Sequence, residues 1–305
     1  MRIVVHGQQA FGQAVLERLL ERGDNVVAVC TAPDKEGRPV DPMKALALEK
    51  NLPVHQPASW KTPEALELMK SFDADVCMMA YVLLFVPQPV LDAPRLGSFQ
   101  YHPSLLPMHR GPSSINWPIA MGSTSTGLSI FWPNEGLDEG PILMQKTCDI
   151  GPDETLADVY FNKLFPLGVD AMIESLDLVA QNKAPRIEQN LSEGSYESWF
   201  GKDQAKIDWA KPAEEVYNIV RAGIPQPGAW TTRGGESLSI FGASLLRDST
   251  GGKPGEVIAI EDDHFVVAGV NGALQVNRVK ADGGKESASD FAKRSGLKTG
   301  EVLGG

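Results

Sequence analysis

Arg2-Ile3-Val4-Val5-His6, running into Gly7-Gln8-Gln9-Ala10-Phe11-Gly12, is the stretch that decides the fold of this 305-residue chain. The first five residues form a short β-rich run. After the glycine, Leu16, Leu19 and Leu20 recur at helical spacing up to Arg22, which predicts an amphipathic helix. Gly23 ends it, and Asn25 to Thr31 resumes an apolar run. A strand, a helix and a second strand in this order open a parallel sheet with helices packed on it. The turn from Gly7 to Gly12 lacks the close glycine pair of a dinucleotide fingerprint, and no acidic residue cleanly ends the second run. No NAD(P) cofactor is therefore expected.

The same pattern continues outward. The spacing predicts helices over Pro42–Lys50 and Pro63–Ser71, with a short strand around Val54 between them. Asp75–Ala80, Gly97–Tyr101, Ser129–Trp132 and Ile142–Lys146 read as strands, and Asp153–Leu167 and Val169–Gln181 as two helices closing a first domain at 1–182. Residues 183–206 are polar, rich in Gly and Ser and without a sustained period, as expected of a connection. A second domain, 207–305, begins with a helix at Pro212–Arg221. It continues in five short β-rich runs, Ala229–Thr232, Ser237–Phe241, Gly255–Ile260, His264–Val270 and Ala273–Val279, separated by Gly and Asp turns. This predicts a small OB-like β-barrel. The fold expected is α/β, a Rossmann-like parallel-sheet domain followed by that barrel.

A 42% hydrophobic and 22% charged composition is that of an ordinary folded chain. The formal net charge of −11 argues against a surface built to hold nucleic-acid phosphates. The densest basic cluster, Lys293, Arg294 and Lys298, is too sparse to form a tract. Three cysteines, Cys30, Cys77 and Cys148, show neither a CxxC pair nor Cys/His ligand spacing, so reduced thiols are expected and no metal site. No run approaches the ~18 apolar residues of a membrane span, and the N-terminus does not read as a leader, so a cytoplasmic location is expected.

Chemistry concentrates in two segments. Gln100-Tyr101-His102-Pro103-Ser104-Leu105-Leu106-Pro107, continuing through Met108-His109-Arg110-Gly111-Pro112, places a histidine at a strand end where open α/β sheets keep their reactive groups. Asn134-Glu135-Gly136-Leu137-Asp138-Glu139-Gly140-Pro141 is a turn-rich loop that carries a carboxylate between two strands. Read alone, His102 suits a structural role as well as a catalytic one, and Asp138 suits an Asx-turn.

Taken together, HPSLLP and the GLDEG loop, in this order and spacing, resemble the formyltetrahydrofolate-dependent formyltransferase family. The resemblance extends through Ala80 to Pro87, Arg110-Gly111 with Ile115-Asn116-Trp117, Ile207-Asp208-Trp209, Asn218 to Ala222, Pro225 to Trp230 and the tail Asp290 to Leu303. Within the family the chain is most similar to the N-terminal hydrolase module of 10-formyltetrahydrofolate dehydrogenase, with methionyl-tRNA formyltransferase next.

The resemblance implies a folate formyl donor, 10-formyltetrahydrofolate, and catalysis without metal or covalent nucleophile. It implies that His102 polarises the formyl oxygen or shuttles a proton, and that Asp138 orients an attacking water. By position in the family's motif, Leu84, Phe85 and Val86 form one wall of the folate pocket, and Pro133, Asn134, Glu135 and Gly136 the other. Arg110 and Gly111 fall on the acceptor side. Gln100 departs from the pattern: amine-accepting relatives carry Asn there and the dehydrogenase-type module an apolar residue. Gln retains an amide donor for the oxyanion but adds a methylene. The acceptor stays open between water, which the overall likeness favours, and an amine such as methionyl-tRNA or an amino sugar. The scarcity of basic residues between Gly228 and Gly284 speaks against tRNA. A folate-binding regulator that has lost catalysis through Gln100 is the remaining alternative.

Overall fold

Ile3, Val4 and Val5 are completely buried, as a strand covered on both faces requires. The computed structural model describes residues 1–249, 251–282 and 284–305. In chain order its first elements are β1 (Arg2–Gly7), α1 (Gln9–Glu21), β2 (Asn25–Cys30), α2 (Pro42–Glu49), β3 (Val54–His55), α3 (Pro63–Ser71), β4 (Val76–Ala80), α4 (Gln88–Leu91) and β5 (Ser98–His102). Then come α5 (Asn116–Ala120), β6 (Ser125–Phe131), β7 (Ile142–Asp149), α6 (Leu156–Val159), a π-turn at Tyr160–Leu164 and α7 (Phe165–Ala180). None of the described helices is long and apolar enough to cross a membrane.

These strands form a seven-stranded sheet in the order β3-β2-β1-β4-β5-β6-β7. The first five are parallel, so their carboxyl ends share one edge: Gly7 lies opposite Ala80, and Met79 opposite Gln100. β6 runs antiparallel to β5, with Gln100 facing Phe131 and His102 facing Ser129, so the sheet is mixed. The only regular element between β5 and β6 is the five-residue α5, too short to be the crossover that a parallel neighbour needs. A Cβ on Gly7 would lie 2.1 Å from the Ala80 carbonyl oxygen, and one on Gly12 2.6 Å from Met43 Sδ. The two glycines of the first turn therefore serve close approach of β1 to β4 and of α1 to α2.

The ends of the helices follow from sequence. Asp41 caps α2 by accepting from the Met43 and Lys44 amides ahead of Pro42, and Thr62 caps α3 ahead of Pro63. Where two separate helices are expected over Asp153–Leu167 and Val169–Gln181, one continuous run forms, beginning only at the Thr155–Asp158 capping box. Pro166 lacks an N–H and would clash inside a regular helix, and the wide π-turn just before it absorbs both defects.

His6, at the end of β1, is buried, and its Nε2 accepts a 3.2 Å hydrogen bond from Trp60 Nε1. Burial pushes its pKa down to about 3. Burial pushes the Cys77 thiol up to about 12 and that of Cys30 upward as well, so both are inert at neutral pH.

The chain divides into two compact units, one of Met1–Ser114, Gly127–Cys148 and Lys163–Glu197, the other of Ile115–Thr126, Asp149–Asn162 and Ser198–Gly305. The second contains α8 (Ala213–Ala222), β8 (Ala229–Arg233), β9 (Glu236–Leu246), β10 (Val257–Ile260), β11 (Phe265–Gly269), β12 (Gly272–Ala281), β13 (Gly284–Ser287) and α9 (Ala288–Ser295). Its strands form one antiparallel sheet in the order β10-β11-β12-β9-β8, with β13 also on β12, around a core that includes Trp209, Leu238, Phe265, Leu274 and Phe291. The chain's tail bridges the two outer strands. Leu303 N donates to Gly255 O and Val257 N to Glu301 O, while Gly304 N donates to Thr232 O, each at 2.8 Å. The barrel is thus completed by a tail rather than by a strand. Within this unit the buried Arg221 guanidinium donates to the Gly151 and Glu154 carbonyls and to Asn218, which ties Asp149–Asn162 to α8.

Candidate active site

Gln100 and His102, two residues apart on β5, point to the same face of the sheet. His102 is the last residue of the strand and only 6% exposed. Its Nε2 lies 3.0 Å from the carbonyl oxygen of His109. A carbonyl only accepts, so Nε2 carries the proton, and in the neutral ring Nδ1 is left with its lone pair. That nitrogen faces Asp138, whose Oδ2 is 3.6 Å away and whose side chain is 9% exposed.

Asp138 reaches this position because its loop turns back sharply, with the residue itself in the left-handed region at φ +56°. Its Oδ2 accepts a 2.9 Å hydrogen bond from the Gly111 amide, and Gln189 Nε2 donates to the backbone carbonyls of Asp138 and Gly140. The Pro103–Gly111 loop is tied down in the same way. Ser104 Oγ donates to the Met108 and His109 carbonyls, and Ser129 Oγ donates to Ser104 O while accepting from Leu106 N. The result is a buried imidazole and a buried carboxylate whose other contacts are fixed by backbone groups, as a preorganised acid–base pair requires.

The remaining residues expected at the site fall into four groups. The Gln100 side chain makes no hydrogen bond among the described residues, so its amide is available beside His102. Residues 81–87 follow β4, at the same sheet edge as Gln100. Val86 is buried in the core there and Leu84 packs against it, whereas Phe85 is 55% exposed with Lys61 Nζ 5.0 Å from its ring centroid. Tyr81 and Leu83 are exposed on the same alternation, leaving an apolar row uncovered at the active edge. In the Asp138 loop, Pro133 and Gly136 are half-buried, Asn134 and Glu135 exposed, and Asn134 Oδ1 accepts from Gly136 N. Arg110 is engaged within the site: its guanidinium is paired with Glu139 and also donates to Ser195 O, joining the two loops. Gly111 contributes its amide to Asp138. Among the described residues no group of three or more His, Cys, Asp or Glu is placed to hold a metal ion.

Residues 1–176 match the family Formyl transferase, and residues 200–296 match Formyl transferase, C-terminal domain. This chain belongs to the formyl transferase family. It is 40% identical over 264 residues to the cytosolic 10-formyltetrahydrofolate dehydrogenase of Xenopus tropicalis, a match that covers 84% of this chain and 29% of that protein. The chain thus spans under a third of the length of the dehydrogenases it matches. It is 35% identical to the methionyl-tRNA formyltransferase of Syntrophus aciditrophicus over 99% of this chain and 98% of the relative. An N-formyltransferase of Helicobacter canadensis, crystallised with folinic acid and dTDP-3-aminofucose, superposes with a TM-score of 0.70 at 19% identity, over 91% of this chain and 99% of that one. At that identity the likeness is one of fold.

Sequence reasoning missed the groups that hold the site: the His109 carbonyl, Ser104, Ser129, Gln189, Ser195 and Glu197. Ser104 stands inside the HPSLLP segment and His109 two residues beyond it, and that neighbourhood was the available signal. Gln189, Ser195 and Glu197 lie in a stretch without periodicity, where nothing in the sequence distinguishes a brace from a loose connection.

Proposed function

We propose that this chain cleaves the formyl group from 10-formyltetrahydrofolate, with water as the acceptor. The observation that carries the reading is the buried His102–Asp138 pair, 3.6 Å apart at the sheet edge, with the unengaged Gln100 amide on the same face. In this reading the pterin and its linker lie along the apolar row at Tyr81, Leu83 and Phe85, and the formyl carbonyl points its oxygen at Gln100. Water attacks the formyl carbon, the C=O electron pair moves onto oxygen, and the Gln100 amide donates to the oxyanion. The water proton passes to His102 Nδ1, and the imidazolium so formed faces the Asp138 carboxylate. His102 then returns the proton to N10 as the C–N bond breaks. Tetrahydrofolate and formic acid leave, the acid ionising at neutral pH.

The likeness to the dehydrogenases supports water as acceptor, and the near end-to-end match with a methionyl-tRNA formyltransferase supports an amine acceptor at the same site as the second reading. Buried reduced thiols accord with a cytoplasmic setting. Incubating the purified chain with 10-formyltetrahydrofolate separates the alternatives. Formate released without an added acceptor supports the hydrolase, and turnover only with tRNA or an amino sugar supports a transferase. Binding without turnover in either case would leave a regulator.

A further inference from the structure

The Pro103–Gly111 loop supplies both backbone groups that orient the acid–base pair: the His109 carbonyl on His102 and the Gly111 amide on Asp138. Within the loop, Ser104 Oγ donates to the Met108 and His109 carbonyls, and further restraint on the conformation comes from outside it. His109 sits at φ +55° and Gly111 at φ +102°, and a non-glycine residue in that region costs of order 1 kcal/mol unless its surroundings impose it. The surroundings are residues 194–197. Ser195 N donates to Pro107 O, Arg110 N to Ser195 O, and Glu197 N to Arg110 O, and Arg110 and Tyr196 form a parallel β-bridge. Ser195 Oγ accepts the His109 amide at 2.9 Å. Glu197 Oε2 lies 3.2 Å from His109 Nδ1, both side chains being nearly buried. Tyr196 and the Glu197 carbonyl leave no room for a side chain at Gly111: a Cβ there would meet them at 2.9 and 2.6 Å. This segment is a strap across the loop, and its side chains hold the loop through Ser195 Oγ on the His109 amide and through the Glu197–His109 pair.

We propose that Glu197, acting through His109, is a positioning residue for the His102–Asp138 pair. The carboxylate can only accept, so His109 Nδ1 carries a proton and the ring is anchored by a charge-assisted bond. With the ring anchored and the amide held by Ser195, the His109 carbonyl is fixed where His102 Nε2–H meets it. That contact in turn leaves His102 Nδ1 as the proton-accepting nitrogen facing Asp138. Glu197 touches neither substrate nor the reacting proton. Its effect falls on kcat, because it sets the tautomer and aim of His102, and not on the apolar row at Tyr81–Phe85.

The proposal rests on the formyl-transfer reading of this site, and it is tested by two measurements of which one needs no turnover. Full-length wild type, Glu197→Ala and Glu197→Gln are compared for kcat and KM with 10-formyltetrahydrofolate, and for the imidazole 15N spectrum of His102, assigned with His102→Gln. We expect Glu197→Ala to lower kcat by about 10- to 100-fold, the cost of displacing a catalytic group by about 1 Å, with KM within about twofold. His102 should shift from the Nε2-protonated tautomer to a mixture. Glu197→Gln keeps an acceptor for His109 Nδ1–H and should recover most of kcat and the wild-type spectrum. If Glu197→Ala does not fold, Ser195→Ala reads the same coupling through the His109 amide and should lower kcat by about 3- to 10-fold. An unchanged His102 spectrum in the Ala variant overturns the proposal, as does a loss of activity matching only the loss of folded protein. A Gln variant as impaired as Ala overturns it too. If wild type turns over nothing, the formyl-transfer reading fails, while the spectrum still decides whether Glu197 positions His102.

Discussion

Asp138 Oδ2 stands 3.6 Å from His102 Nδ1, beyond a direct hydrogen bond, while His102 Nε2 is engaged by the His109 carbonyl. A neutral imidazole held in this way presents a lone pair toward a carboxylate, so the two groups attract only once His102 has taken up a proton. In the proposed reaction the Asp138 carboxylate therefore faces the imidazolium that forms on His102. Replacing Asp138 with Asn keeps the shape and removes the charge, and we expect kcat to fall by about 10²- to 10³-fold with the fold retained. His102→Asn should cost about 10²- to 10⁴-fold. Steady-state kinetics with circular dichroism check both, and full activity in either variant would show that the chemistry lies elsewhere.

In the proposed reaction the Gln100 amide meets the developing oxyanion. Removing one such donor costs about 10²- to 10³-fold in other enzymes, and Gln100→Ala should show a loss of that order in kcat with little change in KM. Gln100→Asn keeps the amide but withdraws it by a methylene. If the reach of that amide governs acceptor choice, the ratio of formate to formylated amine, measured with an amine present, will differ between Gln100→Asn and wild type. An unchanged ratio, with kcat equal to wild type in both variants, would remove Gln100 from the site.

The legible part of this fold is the part that burial writes periodically into sequence. β1, β2, β4 and β5 are apolar runs of sheet-core length, and Pro63 to Ser71 is bounded by its own cap and proline, so these elements lie where the pattern places them. The direction of β6 was not legible, because it depends on what lies between two strands and not on the strands themselves. Nor was β13, whose Gly284-Lys285-Glu286-Ser287 has no apolar alternation, or α4 and α5, shorter than the span over which a helical period can be recognised. The site divides in the same way. His102 and Asp138 carry their chemistry in their side chains and stand in a recognisable segment. The His109 carbonyl and the Gly111 amide are backbone groups every residue possesses, and only their aim makes them matter. Glu197 is 88 residues from its partner His109, a pairing that folding alone creates.

His6 gives the fold a calculable sensitivity to acid. In the folded protein its pKa is about 3 because burial excludes the charged ring, against 6.5 when the chain is unfolded. Above 6.5 neither state binds the proton, and the residue is without effect. Between 6.5 and 3 the unfolded state binds it and the folded state does not, so stability falls as pH falls, by at most about 1.4 kcal/mol per pH unit. At pH 4.5 the penalty is of the order of 2 to 3 kcal/mol. His6→Gln still offers Trp60 an acceptor but does not titrate. Urea unfolding at pH 7 and pH 4.5 should show a smaller loss of stability on acidification in this variant than in wild type, and equal losses would mean that the buried ring is protonated without cost.

The tail that bridges the two outer strands of the second sheet offers a separate test. Leu303 is 2% exposed, and the hydrogen bonds from its own amide and those of Val257 and Gly304 join the tail to Gly255, Val257 and Thr232. Ending the chain at Lys298 removes the buried Leu303 side chain and uncovers the core it packs on, worth about 1.5 to 3 kcal/mol, and strips partners from the edges of β8 and β10, each net bond worth about 1 kcal/mol. We expect the second unit to lose roughly 4 to 6 kcal/mol on this reckoning. Hydrogen exchange locates the effect: the Val257 amide, which donates to Glu301 O in the intact chain, should lose its protection. The amides of Val276 and Val279, on the central strand β12, should exchange more slowly than Val257 in the truncated chain. Wild-type protection at Val257 after truncation would show that the tail does not complete the barrel.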